Sequence, residues 1–138
     1  MTISAQNYDP ALQYGANLTT NKGAIGYATG CGGAVTQQTN RTTGVTVNTI
    51  SGTITTNTAS LASETAAAFT VTNSQVAIGD VVVVSQQSGA NGGATEVYVS
   101  TVAAGSFAIT VMNNNPSAGT AETGAILINF AIFKAVSA

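Results

Sequence analysis

A chain of 138 residues suits one domain that buries roughly two-thirds of its unfolded surface, and its formal charge of −2 arises from three basic and five acidic side chains. Charged residues make up 6% of the sequence, against about 25% in an ordinary soluble domain. No basic patch can form to displace counterions from nucleic acid, and no cationic face exists for a membrane surface; neither partner is expected.

The apolar fraction of 44% fits a folded protein and not a disordered one. Polar surface must then come from Thr, Ser, Asn and Gln, which hydrogen-bond but repel nothing. Such a surface favours assembly. Cys31 stands alone, so an intrachain disulfide framework and a multi-cysteine metal site are ruled out; it reads as a buried thiol. The start MTISAQNYDP has neither a basic region nor an apolar core, so no secretory leader is expected. No apolar run reaches the length of about 18 residues that a spanning helix needs. These features predict synthesis and retention in a reducing cytoplasm.

In chain order, residues 1–24 carry Tyr8, Pro10 and Tyr14 among scattered Asn and Gln, with weak periodicity; they read as an extended N-terminal arm. Residues 25–138 read as one β-sandwich domain. It opens on "GYATGCGGAVTQQTN", a glycine-rich stretch running into alternation. From Val35 onward apolar and polar residues alternate, the mark of half-buried strands. Thr43–Asn48 puts Val45 and Val47 on one face. Ser51-Gly52 signals a turn, with a strand returning over Thr53–Thr56. Thr58–Ala68 is ambiguous, since its alanines permit a short helix. Phe69–Thr72, Asp80–Val84, Glu96–Val102 and Phe107–Val111 read as strands, separated by a loop at Ser88–Gly93 and a turn at Ala104–Ser106. A loop at Asn113–Gly119 precedes the longest strand, Ala125–Lys134. About eight strands at this spacing predict an all-β, antiparallel, jelly-roll-like sandwich.

Two strands are apolar on both faces. In the last, Ile126, Ile128, Phe130 and Ile132 alternate with Leu127, Ala131 and Phe133; the valines 81 to 84 leave no polar side at all. A sandwich strand ordinarily buries one face and wets the other. Leu127, Ala131, Phe133, Val82 and Val84 are therefore expected at an interface between subunits, with the arm's tyrosines as the alternative cover.

The glycine-rich stretch lacks the lysine of a phosphate-binding loop and the third glycine of a dinucleotide fingerprint, so it reads as a flexible lead into the sheet. Without histidine, the common nucleophile systems and the commonest metal ligand are missing. A glycosidase needs two facing carboxylates. The five acids are spread along the chain, and Asp80 and Glu122 sit in turn-like contexts suited to capping or solvation. Calcium binding through Asp9 has no acidic loop to support it. Asn17-Leu-Thr19 and Asn40-Arg-Thr42 match glycosylation sequons and carry no weight without a leader. No catalytic residue, cofactor or metal is expected. The Ser88–Gly93 and Asn113–Pro116 loop tips are the places most open to an outside partner.

The series Gly26-Tyr27-Ala-Thr29-Gly30-x-Gly32-Gly33-x-Val35-Thr36-Gln37, then Thr43-Gly44-Val45-Thr46 and Ser51-Gly52-x-Ile54-Thr55, with "FTVTNSQVAIGDVVVV" and "ILINFAIFKA", resembles a family of small β-rich virion proteins of tailed bacteriophages. Its members serve as capsid decoration (cement) proteins and as distal domains of head or tail fibres. The resemblance covers roughly residues 24 to 136. It implies a structural virion component on the capsid surface, a homotrimer that binds the major capsid protein, with Tyr8, Leu12 and Tyr14 of the arm lying on that protein or on a neighbouring copy. The alternative is a fibre domain that binds a host receptor or carbohydrate, through Tyr98 or the Asn-rich loop. No functional residue is carried onto Cys31.

Overall fold

The computed structural model describes residues 26–91 and 93–135, which form eight strands and no helix. Tyr8, Leu12, Tyr14 and the rest of the arm lie outside the described residues. The strands are β1 (Gly32–Thr36), β2 (Val45–Thr46), β3 (Ser51–Thr55), β4 (Thr65–Thr72), β5 (Val81–Ser88), β6 (Thr95–Ala103), β7 (Ser106–Asn113) and β8 (Leu127–Phe133). They make two four-stranded sheets, ordered β1-β3-β8-β5 (sheet A) and β2-β4-β7-β6 (sheet B).

The sheets are mixed. β1 pairs with β3 and β2 with β4 in parallel, while the other pairs are antiparallel. Parallel neighbours cannot be joined by a tight hairpin and need a crossover. Here the crossover is a strand of the opposite sheet: β1 to β4 alternate A, B, A, B. Each pass carries the chain over the core, so β3 returns to sheet A pointing the same way as β1.

Period-two alternation fills the core from both sides. Ile54, Ile128, Phe130 and Ile132 come from sheet A; Phe69, Val71, Phe107, Ile109 and Val111 come from sheet B; all are at most 3% exposed. Phe107 and Phe130 meet across the layers with ring centroids 5.6 Å apart, a favourable aromatic distance. Burying each such side chain contributes about 1.5–3 kcal/mol.

The glycine-rich opening serves this packing. Gly33 lies opposite Gly52 in the parallel β1–β3 register, and a Cβ on Gly52 would stand 2.2 Å from the Gly33 carbonyl oxygen and 2.9 Å from the Phe130 ring. Ser51-Gly52 is thus the start of β3 and not a turn. Glycine there lets the Phe130 ring lie against the strand. The ambiguous Thr58–Ala68 stretch is no helix either: Glu64 takes a left-handed φ of 56°, which interrupts a right-handed helix, and Thr65–Ala68 begins β4.

One end of the sandwich is closed by polar groups. Arg41, 3% exposed, donates to Ala59 O, Thr56 Oγ1 (3.3 Å), Glu122 O (3.2 Å) and Gly124 O (2.8 Å). Glu122 is fully buried. Its carboxylate accepts from Asn91 N–H (3.1 Å), Gly124 N–H (2.7 Å) and Thr95 O–H (2.7 Å). Gln37 donates to Arg41 O and Thr43 O, and accepts from Asn57 N–H. Burial lowers the guanidinium's pKa and the Glu122 charge opposes that shift; arginine nonetheless stays charged.

Replacing the buried Glu122 carboxylate by alanine leaves its amide and hydroxyl donors unsatisfied. Glu122→Ala is expected to cost about 2–4 kcal/mol in urea-unfolding free energy. Glu122→Gln, which keeps an acceptor oxygen, should lose less. Equal losses in the two variants would show that volume and not charge-assisted bonding holds this end.

Candidate functional site

The outer face of sheet A carries the feature that calls for a partner. In β8, Ile128, Phe130 and Ile132 point inward, while Asn129 and Phe133 are exposed and Leu127 and Ala131 half-buried. β5 pairs with it as Val81↔Phe133, Val82↔Ile132, Val83↔Ala131 and Val84↔Phe130. Cross-strand partners share a face, so Val81 and Val83 join Phe133 and Ala131 outside. Val81 is 56% exposed, Val83 48% and Phe133 53%.

This register corrects the expectation for Val82 and Val84. Both turn inward and pack on the core, and Val81 and Val83 take the outer places. Ala131 and Phe133 lie on the outer face, half-buried and exposed respectively. Leu127 shares their face but is set apart from them by the polar row Thr53, Asn129 and Ser85. The apolar strip is therefore confined to one half of the sheet.

Two features border that half. Tyr27 lies beside Phe133 with ring centroids 6.4 Å apart and its hydroxyl donates to Ile132 O. The turn before β5 closes with Asp80 N–H donating to Ala77 O (3.2 Å), and Gly79 takes a φ of 90° that suits glycine. Ile78, at its tip, is 80% exposed.

Asp80 fixes this turn to the end of β8. Its carboxylate accepts from Ala77 N–H (2.8 Å), Ala135 N–H (3.2 Å) and the Lys134 ammonium, while Lys134 also donates to Gln75 O (2.9 Å). The Lys134 bond, aided by the Ala77 amide, holds the Asp80 carboxyl below its ordinary 3.8. Asp80 and Glu122 thus both cap backbone, as their turn-like contexts suggest, but Glu122 is enclosed and not solvated.

The expected partner loops divide. Asn113 is fully buried and donates to Leu61 O (3.0 Å) and Thr120 O (3.1 Å), so it holds its own loop together. Asn91 in the other loop accepts from Thr123 and Gly124 N–H. Asn40 accepts from Thr42 N–H and the Thr43 hydroxyl, a turn role for the second sequon. Tyr98 stands exposed on sheet B. Cys31 is exposed and not buried as expected. Ile78 and Tyr27 were missed in sequence: an isoleucine next to Gly79 carries a turn signal but no sign of which way it projects.

A carboxyl whose pKa is lowered in the folded state adds stability above its unfolded value and loses it on protonation. Stability should therefore fall as pH drops below about 4, and the Asp80→Asn variant should lose less over that interval when both are unfolded in urea at stepped pH. Parallel curves for the two proteins would remove Asp80 from the acid response. Compared with protein-family models, curated proteins and solved structures, the chain matches none of them.

Proposed function

We propose that this chain is a non-enzymatic decoration protein of a tailed-bacteriophage capsid, which binds the outer shell as a homotrimer and stabilises it. The observation that carries the reading is the strip of Val81, Val83 and Phe133 on a sandwich that is almost free of charge. Apolar strips rimmed by polar residues suit contact with another polypeptide, and a surface of Thr, Ser and Asn adds hydrogen bonds without long-range repulsion. The resemblance described above supplies the virion setting. The two best-buried acids, Asp80 and Glu122, are engaged by backbone amides, which suits a structural role.

The mechanism is mechanical. Packaged DNA pushes the shell outward, and a trimer bridging neighbouring capsid subunits adds contact area across their seams. A standard interface of about 1,600 Å² in total is enough for specific, lasting attachment when well packed. Tyr8, Leu12 and Tyr14 are the proposed contacts to the major capsid protein.

Electron cryomicroscopy of particles carrying the chain tests this directly. Copies in threes over the outer shell are expected, and shells stripped of them should rupture at lower temperature. Copies at the tail tip would replace the reading with host recognition. In solution, sedimentation should give a trimer; a soluble monomer at high concentration would count against assembly through the strip.

A further inference from the structure

We propose that the outer face of sheet B binds a neutral hexose polysaccharide, with one pyranose unit seated between Tyr98 and the hydroxyl of Thr110. The alternation of β7 sets this up. Ile109 and Val111 fill the core, so Thr110 between them turns outward. Its row across the sheet is Ala68, Thr110 and Tyr98. Thr110 is nonetheless only 6% exposed, and among the described residues no hydrogen bond engages its hydroxyl. Every enclosed side-chain oxygen and nitrogen among them has a partner, so this hydroxyl opens onto the outer face. A nearly buried hydroxyl with its bonding capacity unused is a place for a ligand's polar group.

The surroundings fit a sugar. Ala68 stands beside Thr110 in the row, and Ala108 lies two residues before it on the same face; side chains this short leave the hydroxyl reachable. Tyr98 is exposed on the other flank. Its strand, β6, is an edge of sheet B, so a chain of linked sugars can continue past it. The tyrosine ring offers an apolar face and its phenol a polar tip, which matches a pyranose, apolar on its C–H face and polar at its rim. Glu96 is exposed two residues away on the same face of β6, with the two Cα atoms roughly 7 Å apart. Its carboxylate accepts hydrogen bonds from neighbouring sugar hydroxyls. Met112 pairs with Glu96 and borders the site on β7.

Charge selects the class of ligand. Glu96 is the one charged side chain in the outward rows of the described sheet B strands, so an acidic sugar or a phosphate meets a carboxylate and no cation. An alanine floor suits a flat ring better than the anchoring side chain of a polypeptide, which needs a pocket. The site is on the layer opposite the apolar strip, and the inference goes beyond the decoration reading without depending on it.

The test applies the fluorescently labelled full chain to an array of neutral glucose, mannose and galactose oligosaccharides, sialylated oligosaccharides and uncharged peptides, and titrates the bound sugar by NMR. Binding to neutral sugars alone is expected. Tyr98→Ala should weaken it about tenfold. Thr110→Val, which keeps the shape and removes the hydroxyl, should weaken it about fivefold, and Thr110→Ser should restore it. Ser85→Ala on sheet A should leave binding unchanged. The inference is overturned by no binding to any neutral sugar, by equal binding to sialylated ones, by undiminished binding in both Tyr98→Ala and Thr110→Val, or by an equal loss in Ser85→Ala. Tyr98-dependent binding to the peptides in place of sugars would assign the face to a polypeptide and overturn it too. Shell attachment is measured separately, so its loss and the loss of sugar binding are distinct outcomes.

Discussion

The guanidinium of Arg41 reaches oxygens in two distant segments, 56–59 and 122–124, while Gln37 binds the backbone of Arg41's own loop. That cluster is where the alternating topology is locked. The connection from β1 to β2 must leave sheet A and arrive in sheet B, and it turns at Gln37–Thr43. The connections after β3 and before β8 pass the same end. Buried backbone carbonyls at such crossings need donors, and one arginine supplies several. Glu122 meets the complementary need, collecting amide and hydroxyl donors from Asn91, Thr95 and Gly124. A chain with three basic residues spends one of them entirely inside.

The crossings also decide what reaches the outside. Because β1 to β4 alternate between layers, each sheet gains a parallel edge pair, and β8 is placed between β3 and β5. That central place makes β8 the partner of a strand made almost wholly of valine at its start. Antiparallel pairing then sends Val81 and Val83 outward in step with Phe133 and Ala131. The strip is a consequence of register, and the Asp80 carboxylate holds that register at its open end by tying Ala77 to Ala135.

Most strands were legible because their alternation is a local property. β6, β7 and β8 fall within a few residues of the expected spans, and Ala104-Gly105 closes the β6–β7 hairpin as its turn residues suggest. What local reading could not reach was set by contacts between distant residues. Gly52 reads as a turn until Gly33 and Phe130 are known to sit against it. Parallel pairing leaves no mark in a strand as short as Val45–Thr46, since both directions use the same alternation. The phase of a four-valine run has no polar residue to fix it; the fixing element is the β8 partner, some fifty residues away in sequence. The turn-like context of Glu122 suits capping or solvation alike, and its enclosure is not legible locally because its amide donors come from residues 91 and 124, one of them about thirty positions off.

Charge scarcity connects the two ends of the molecule. Of the charges in the described strands and loops, Arg41 and Glu122 are enclosed, and Lys134 is drawn onto Asp80. Those groups stabilise the fold and contribute little to keeping copies apart. A surface with few free charges has weak long-range repulsion at any ionic strength, so the local contact decides whether two surfaces stay together. On sheet A that contact begins with exposed valines and a phenylalanine already partnered by Tyr27. The Val81, Val83 and Phe133 side chains remain exposed beside Tyr27, and burial of such groups contributes about 25 cal/mol for each Å² removed from water.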